Sequence, residues 1–320
     1  MTVPTEVAAR SARLPAAMFL AVSAVFHYLG PAFAVLLFSR LDVWAVAWLR
    51  IASAAVVFAG WRRPWRLVRR STAAQRWVLL ALGVVLATMN IVFYLAIARL
   101  PLATVGSIEY LGVIALAAAG VRSRRNLLAL AVAASGVFVL TDIRFAGSPG
   151  GFALAFANCA LFMLYVALGH RVANTGPPGP SRWRGVDQLG AAMLVAAVVA
   201  TPMGVVPTAP AFTHPGWLLA GVCVGVCSSV VPYVTDQLAM ARLPRSTFAL
   251  MLCILPASAT VIGAVVLAQL PTVHDLLGVA LVMTGVAIHQ QPDDPPGERA
   301  MVSIPRGAEV PREGRGRDDR

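Results

Sequence analysis

The chain has 320 residues, of which 58% are hydrophobic and only 12% charged. A soluble domain normally carries about a quarter charged residues, and apolar runs of roughly 18 residues or more, each long enough to cross a bilayer, recur along the whole sequence. The net charge of +12 comes entirely from arginine, scattered between apolar runs rather than gathered on one face, so a nucleic-acid surface is excluded.

Ten membrane-spanning helices follow in chain order: Pro15–Phe38, Val43–Gly60, Trp77–Ile97, Leu102–Gly120, Asn126–Thr141, Gly150–Arg171, Val186–Val206, Gly216–Met240, Ser246–Ala268 and Thr272–His289. Residues 1–14 precede the first span as a cytoplasmic segment. Residues 291–320 are rich in Pro, Gly, Arg, Asp and Glu and cannot bury enough apolar surface to order themselves, so they read as a disordered cytoplasmic tail. The fold class expected is an all-α polytopic membrane protein.

Arginine placement sets the orientation. With the N-terminus inside, the inner segments hold 22 of the arginines and the outer loops only Arg40, Arg99 and Arg144. Both termini are then cytoplasmic. A short string repeats: Leu95-Ala96-Ile97-Ala98-Arg99-Leu100-Pro101 matches Leu238-Ala239-Met240-Ala241-Arg242-Leu243-Pro244 at all but one place. Leu127-Leu128 to Gly136-Val137 likewise resembles Leu276-Leu277 to Gly285-Val286. The chain divides into five-helix repeats, 15–145 and 146–290. Five is odd, so the second half enters the membrane inverted, which places a binding site near mid-membrane between the halves.

Ionisable groups inside spans need a partner or a water-filled cavity, since each costs about 2.5–3.5 kcal/mol near the centre on insertion scales. From the outer side, the 1.5 Å rise per residue puts Arg50 ~12 Å deep in span two and Glu109 ~10 Å deep in span four. At matching depth the two form either a structural ion pair or a cavity in which Glu109 exchanges a proton or meets an ammonium and Arg50 receives a carboxylate. Asn90, Tyr94 and Asn158 line the same cavity or serve as hydrogen-bond glue between helices. In span eight, Pro232 bends the helix and frees backbone carbonyls. Tyr233 lies on the inner path, and Asp236 near the inner interface has a gating or a coupling role. Pro256 marks a second kink. His27 reads as a neutral packing histidine. Cys159, Cys223, Cys227 and Cys253 all lie in apolar runs and read as small buried side chains, so neither a metal site nor a cofactor is expected.

The stretches Met89–Ile97 into Leu100-Pro101-Leu102, Ile108–Gly112, Val231-Pro232-Tyr233 through Asp236, and Ala241–Phe248 resemble the EamA-type drug/metabolite transporter superfamily, in its branch of inner-membrane threonine/homoserine exporters. Trp48-Leu49-Arg50 matches an arginine typical of span two. The resemblance implies a ten-helix inverted repeat and a non-enzymatic secondary transporter of the bacterial inner membrane. Such a protein exports small metabolites, amino acids first, by alternating access with possible proton coupling. An uncoupled facilitator or exchanger and a non-transporting scaffold are the alternatives. The implied partners are a small-molecule substrate, the bilayer and protons, with room for a homodimer. The chain departs from the family at Gly112-Val113, where Gly-Pro is usual, at Leu255-Pro256 for Glu-Pro, at Ala268-Gln269 for Gly-Glu, and at Asp236 for Glu.

Overall fold

A computed structural model describes residues 4–120, 123–142, 148–175, 184–240 and 254–288. These residues form helices and no strand. The helices are α1 (Pro4–Leu37), α2 (Val43–Arg62), α3 (Trp65–Arg70), α4 (Ala73–Ile97), α5 (Leu102–Gly120), α6 (Arg124–Asp142), α7 (Pro149–Thr175), α8 (Arg184–Gly204), α9 (Ala209–Thr213), α10 (Pro215–Gly225), a π-helical turn (Val226–Val230), α11 (Val231–Met240), α12 (Ile254–Leu267) and α13 (Val273–Ile288). Helix covers each of the ten expected stretches at least in part. Five stretches are long and apolar enough to cross a membrane: Val43–Arg62, Ala73–Ile97, Pro149–Leu168, Gly185–Gly204 and Pro215–Asp236. Shorter apolar helices occupy Val22–Leu37, Leu255–Leu267 and Val273–Ile288. The expected tail and the second Ala-Arg-Leu-Pro turn lie outside the described residues.

Local chemistry sets the helix ends. The Asp42 carboxylate accepts from Trp44 N at 2.8 Å and starts α2, and Arg63 ends it in the left-handed region at φ 50. Thr72 and Gln75 cap each other at the start of α4, which satisfies two donors that the first turn leaves open. Thr272 and Asp275 do the same for α13. α1 starts at Pro4, well ahead of the expected Pro15. Pro4 sits at the first helical position, where its missing N–H costs no bond, and the Glu, Ala and Arg that follow are good helix formers.

The packing brings distant helices together. α6 lies along α13, α2 along α8, α4 between α7 and α8, and α1 against α11 and α12. The α6–α13 crossing is backbone-close. A Cβ on Gly136 would lie 2.6 Å from the Gly278 carbonyl oxygen, and one on Gly285 would lie 2.7 Å from the Ala129 carbonyl oxygen. Only glycine permits that approach, which is how helices associate in lipid, where apolar surface supplies no drive of its own. The α2–α8 seam is fastened twice. Trp48 Nε1 donates to Thr201 Oγ1 at 3.0 Å, and Arg62 grips Asp187 with two bonds of 2.7 and 3.1 Å.

Candidate functional site

Six helices converge on a central cavity of about 40 Å³. That is room for about three or four waters at the ~10–15 Å³ each requires. α1 contributes His27 and Pro31, α2 Arg50, α4 Met89, Asn90 and Phe93, α5 Glu109, α7 Asn158, Phe162 and Tyr165, and α11 Tyr233. The walls are apolar and aromatic, with a few convergent polar groups, as a small-molecule site requires.

Both charged groups are buried, Arg50 to 7% exposure and Glu109 to 9%. No salt bridge joins them. The arginine is held elsewhere: its Nε donates to Ser229 Oγ at 3.0 Å and its Nη2 to the Ser228 carbonyl at 3.2 Å. Its guanidinium also stands 5.1 Å from the centre of the Tyr94 ring, within cation–π range. Glu109 accepts one bond, from Asn158 Nδ2 at 3.0 Å. The direct ion pair is absent, and both side chains line one cavity.

The arginine's second acceptor has a cause in the sequence. In a regular α-helix the Ser228 carbonyl would bond the N–H four residues on, and that residue is Pro232, which has none. The chain answers with the π-helical turn just before Pro232, and the Ser228 carbonyl receives Arg50 instead. π-turns of this sort occur frequently at functional sites.

Several polar atoms around the site are buried without a hydrogen-bond partner. They are Asn158 Oδ1, His27 Nδ1, Tyr94 OH and Ser228 Oγ. Such atoms cost about 1–3 kcal/mol each when left unsatisfied, and two of the residues that carry them, Asn158 and His27, line the cavity, which suits it to a polar ligand.

Of the residues singled out in the sequence, Arg50, Glu109, Asn90, Asn158 and Tyr233 share the cavity. Asn90 turns its amide N–H to its own helix, donating to the Leu86 carbonyl at 2.7 Å. Tyr94 does not line the cavity but supports Arg50 from beside it. Asp236 is not among the residues that line the cavity. Pro232 sits at the predicted break in span eight. Pro256 falls in the first turn of α12, after residues 241–253, which lie outside the described ones. Sequence reasoning missed Ser228 and Ser229 and assigned His27 to packing, yet His27 lines the cavity. The signal for the serines was available in the spacing from Ser228 to Pro232.

No protein-family model matches the chain. It is 29% identical over 259 residues to the threonine/homoserine exporter RhtA of Salmonella typhimurium (strain LT2), with 79% of this chain and 84% of the relative covered. It is also 29% identical over 258 residues to the protein of the same name in Escherichia coli (strain K12). This chain is a homologue of those exporters. A solved structure, described only as a crystal structure of a protein, aligns with a TM-score of 0.54 at 18% identity, over 86% of this chain and 96% of the other, and shares the fold. With five helices long and apolar enough to cross a membrane among the described residues, the chain is a multi-pass membrane protein.

Proposed function

We propose that the protein is a secondary transporter that exports small amino acids, threonine and homoserine first, by alternating access across the bacterial inner membrane. One observation carries this reading: Arg50 and Glu109, of opposite charge and not paired with each other, line one buried cavity. An α-amino acid presents a carboxylate and an ammonium on adjacent atoms. The guanidinium fork suits the first. The Glu109 carboxylate with the open Asn158 Oδ1 suits the second. A cavity with space for only about three or four waters must widen to take in a substrate of this size.

Alternating access needs two inverted halves, and the packing pattern supports them. When each predicted span is exchanged for the one five places on, close helix pairs map onto close pairs. The α4–α7 pair becomes α1 with α11, α4–α8 becomes α2 with α10, α5–α7 becomes α1 with α12, and α5–α6 becomes α12 with α13. The α2–α8, α5–α12 and α6–α13 pairs map onto themselves. The glycine contacts follow the same exchange. In the repeat Gly136 corresponds to Gly285 and Gly278 to Ala129, so the close approach of Gly136 to Gly278 becomes that of Gly285 to Ala129.

Proton coupling through Glu109 is part of the reading. A carboxylate whose one bonded partner is a neutral amide, with no arginine locked onto it, is free to give up and regain a proton as substrate comes and goes. The test is counterflow of labelled threonine and homoserine in proteoliposomes, with and without an imposed pH gradient, for wild type and Glu109→Gln. The expected outcome is that the gradient accelerates wild type and that Glu109→Gln loses the acceleration while still exchanging. Equal indifference to pH in both proteins would make this an uncoupled exchanger and Glu109 structural.

A further inference from the structure

The π-helical turn Val226–Val230 is wedged between two helices of the first half. On one side a Cβ at Gly30 of α1 would meet Ser228 Oγ and the Ser228 backbone, and on the other a Cβ at Gly225 would meet Ser53 Oγ and the Arg50 carbonyl oxygen. Ser228 and Ser229 are each 1% exposed. Arg50 is the one charged side chain that lines the cavity and bonds this turn as well.

We propose that Ser229, with the Ser228 carbonyl, is a positioning site that holds Arg50 when no substrate is bound and yields it to the substrate's carboxylate. The inference rests on the transport reading above and adds to it how occupancy of the cavity is passed to the second half. Arg50 has five N–H donors, and the two serine acceptors take its Nε and Nη2, the pair best arranged as a fork for a carboxylate. A carboxylate that claims this fork must displace the serines. The tie between α2 and the π-turn is then lost when substrate binds and remade when the empty carrier returns. A π-turn next to a proline suits that exchange, because its carbonyls lack a full set of helical partners. They accept the arginine without breaking a regular bond, and they release it at the cost of one hydrogen bond.

The variant that tests this is Ser229→Ala in the full-length protein, with Ser53→Ala as control. Ser53 is also a buried serine at the same seam, but it bonds only to carbonyls of its own helix. The first readout needs no substrate. Met89→Cys, placed on the cavity wall in a background with the native cysteines replaced, is labelled with a membrane-impermeant maleimide from each side of oriented vesicles. Loss of the tie is expected to change the ratio of inside to outside labelling severalfold, with Ser53→Ala unchanged. Identical ratios in wild type and Ser229→Ala would overturn the proposal. The second readout uses labelled threonine. Ser229→Ala is expected to lower KM for exchange roughly ten- to a hundredfold, the worth of one competing hydrogen bond to a charged group. Net efflux, which requires the empty carrier to return, should slow relative to exchange. A raised KM would mean that Ser229 holds Arg50 ready for the substrate, and the competition would be refuted. If threonine moves in neither protein, the amino-acid reading fails, while the labelling ratio still decides whether Ser229 ties the halves.

Discussion

At the scale of single residues, the site depends on a few side chains that have no slack. Asn158 is 1% exposed and splits its amide, with the N–H donated to Glu109 and the carbonyl left open. Asn158→Ala therefore removes the bonded partner of a buried carboxylate and one of the open acceptors. The loss of a hydrogen bond to a charged group is worth ~1.5–3 kcal/mol, so threonine exchange is expected to fall roughly ten- to a hundredfold. Thermal unfolding in detergent separates this from collapse, since a site residue should move transport far more than Tm. Some of this was legible beforehand. Helical rise alone gave Arg50 and Glu109 their common depth. Rise says nothing about rotation, and so it left open whether the two charges touch. The answer depends on Ser228 and Ser229, which look in sequence like the ordinary small polar residues that fill membrane helices.

At the scale of elements, the sequence gives the helices well and their faces less well. Leu102–Gly120 was placed to the residue, because Pro101 and the polar turn before it punctuate the apolar run. Span eight is different. The π-turn inserts an extra residue into its helical winding, so a face traced with the 3.6-residue period before Ser229 no longer holds after it. Beyond the turn Tyr233 lines the cavity, and Asp236, three residues on, does not. The α6–α13 crossing is the element contact most open to test. Gly285→Val would press branched carbon into the Ala129 backbone and is expected to cost about 1–3 kcal/mol as an overpacked contact. Gly60→Ala, in α2 with nothing within 4 Å of its new Cβ, should instead raise stability by up to ~1 kcal/mol through helix propensity. Opposite shifts in Tm, measured side by side in one detergent, are the expected result.

At the scale of the whole molecule, the repeat and the arginine distribution make one joint statement about topology. Reporter fusions at the C-terminal tail and at Ser148 are expected to report the tail inside and Ser148 outside. A tail found outside would rule out ten spans with both termini cytoplasmic. The pairing of helices across the two halves could not have been read from the chain. Two short repeated strings mark which segments correspond, but which helices touch is decided by side-chain shape over long separations, as where Gly204 of α8 lies against Trp48 of α2.

The smallness of the central cavity has an electrical consequence. A bilayer protein that strung Arg50, Glu109 and Asn158 along a continuous file of water would act as a standing short circuit, dissipating the proton and ion gradients on which the rest of the cell depends. With space for only about three or four waters, the cavity holds far less water than a continuous file across the bilayer needs. A pocket of this size does not by itself bridge the ~30 Å of hydrocarbon on which a membrane's resistance depends.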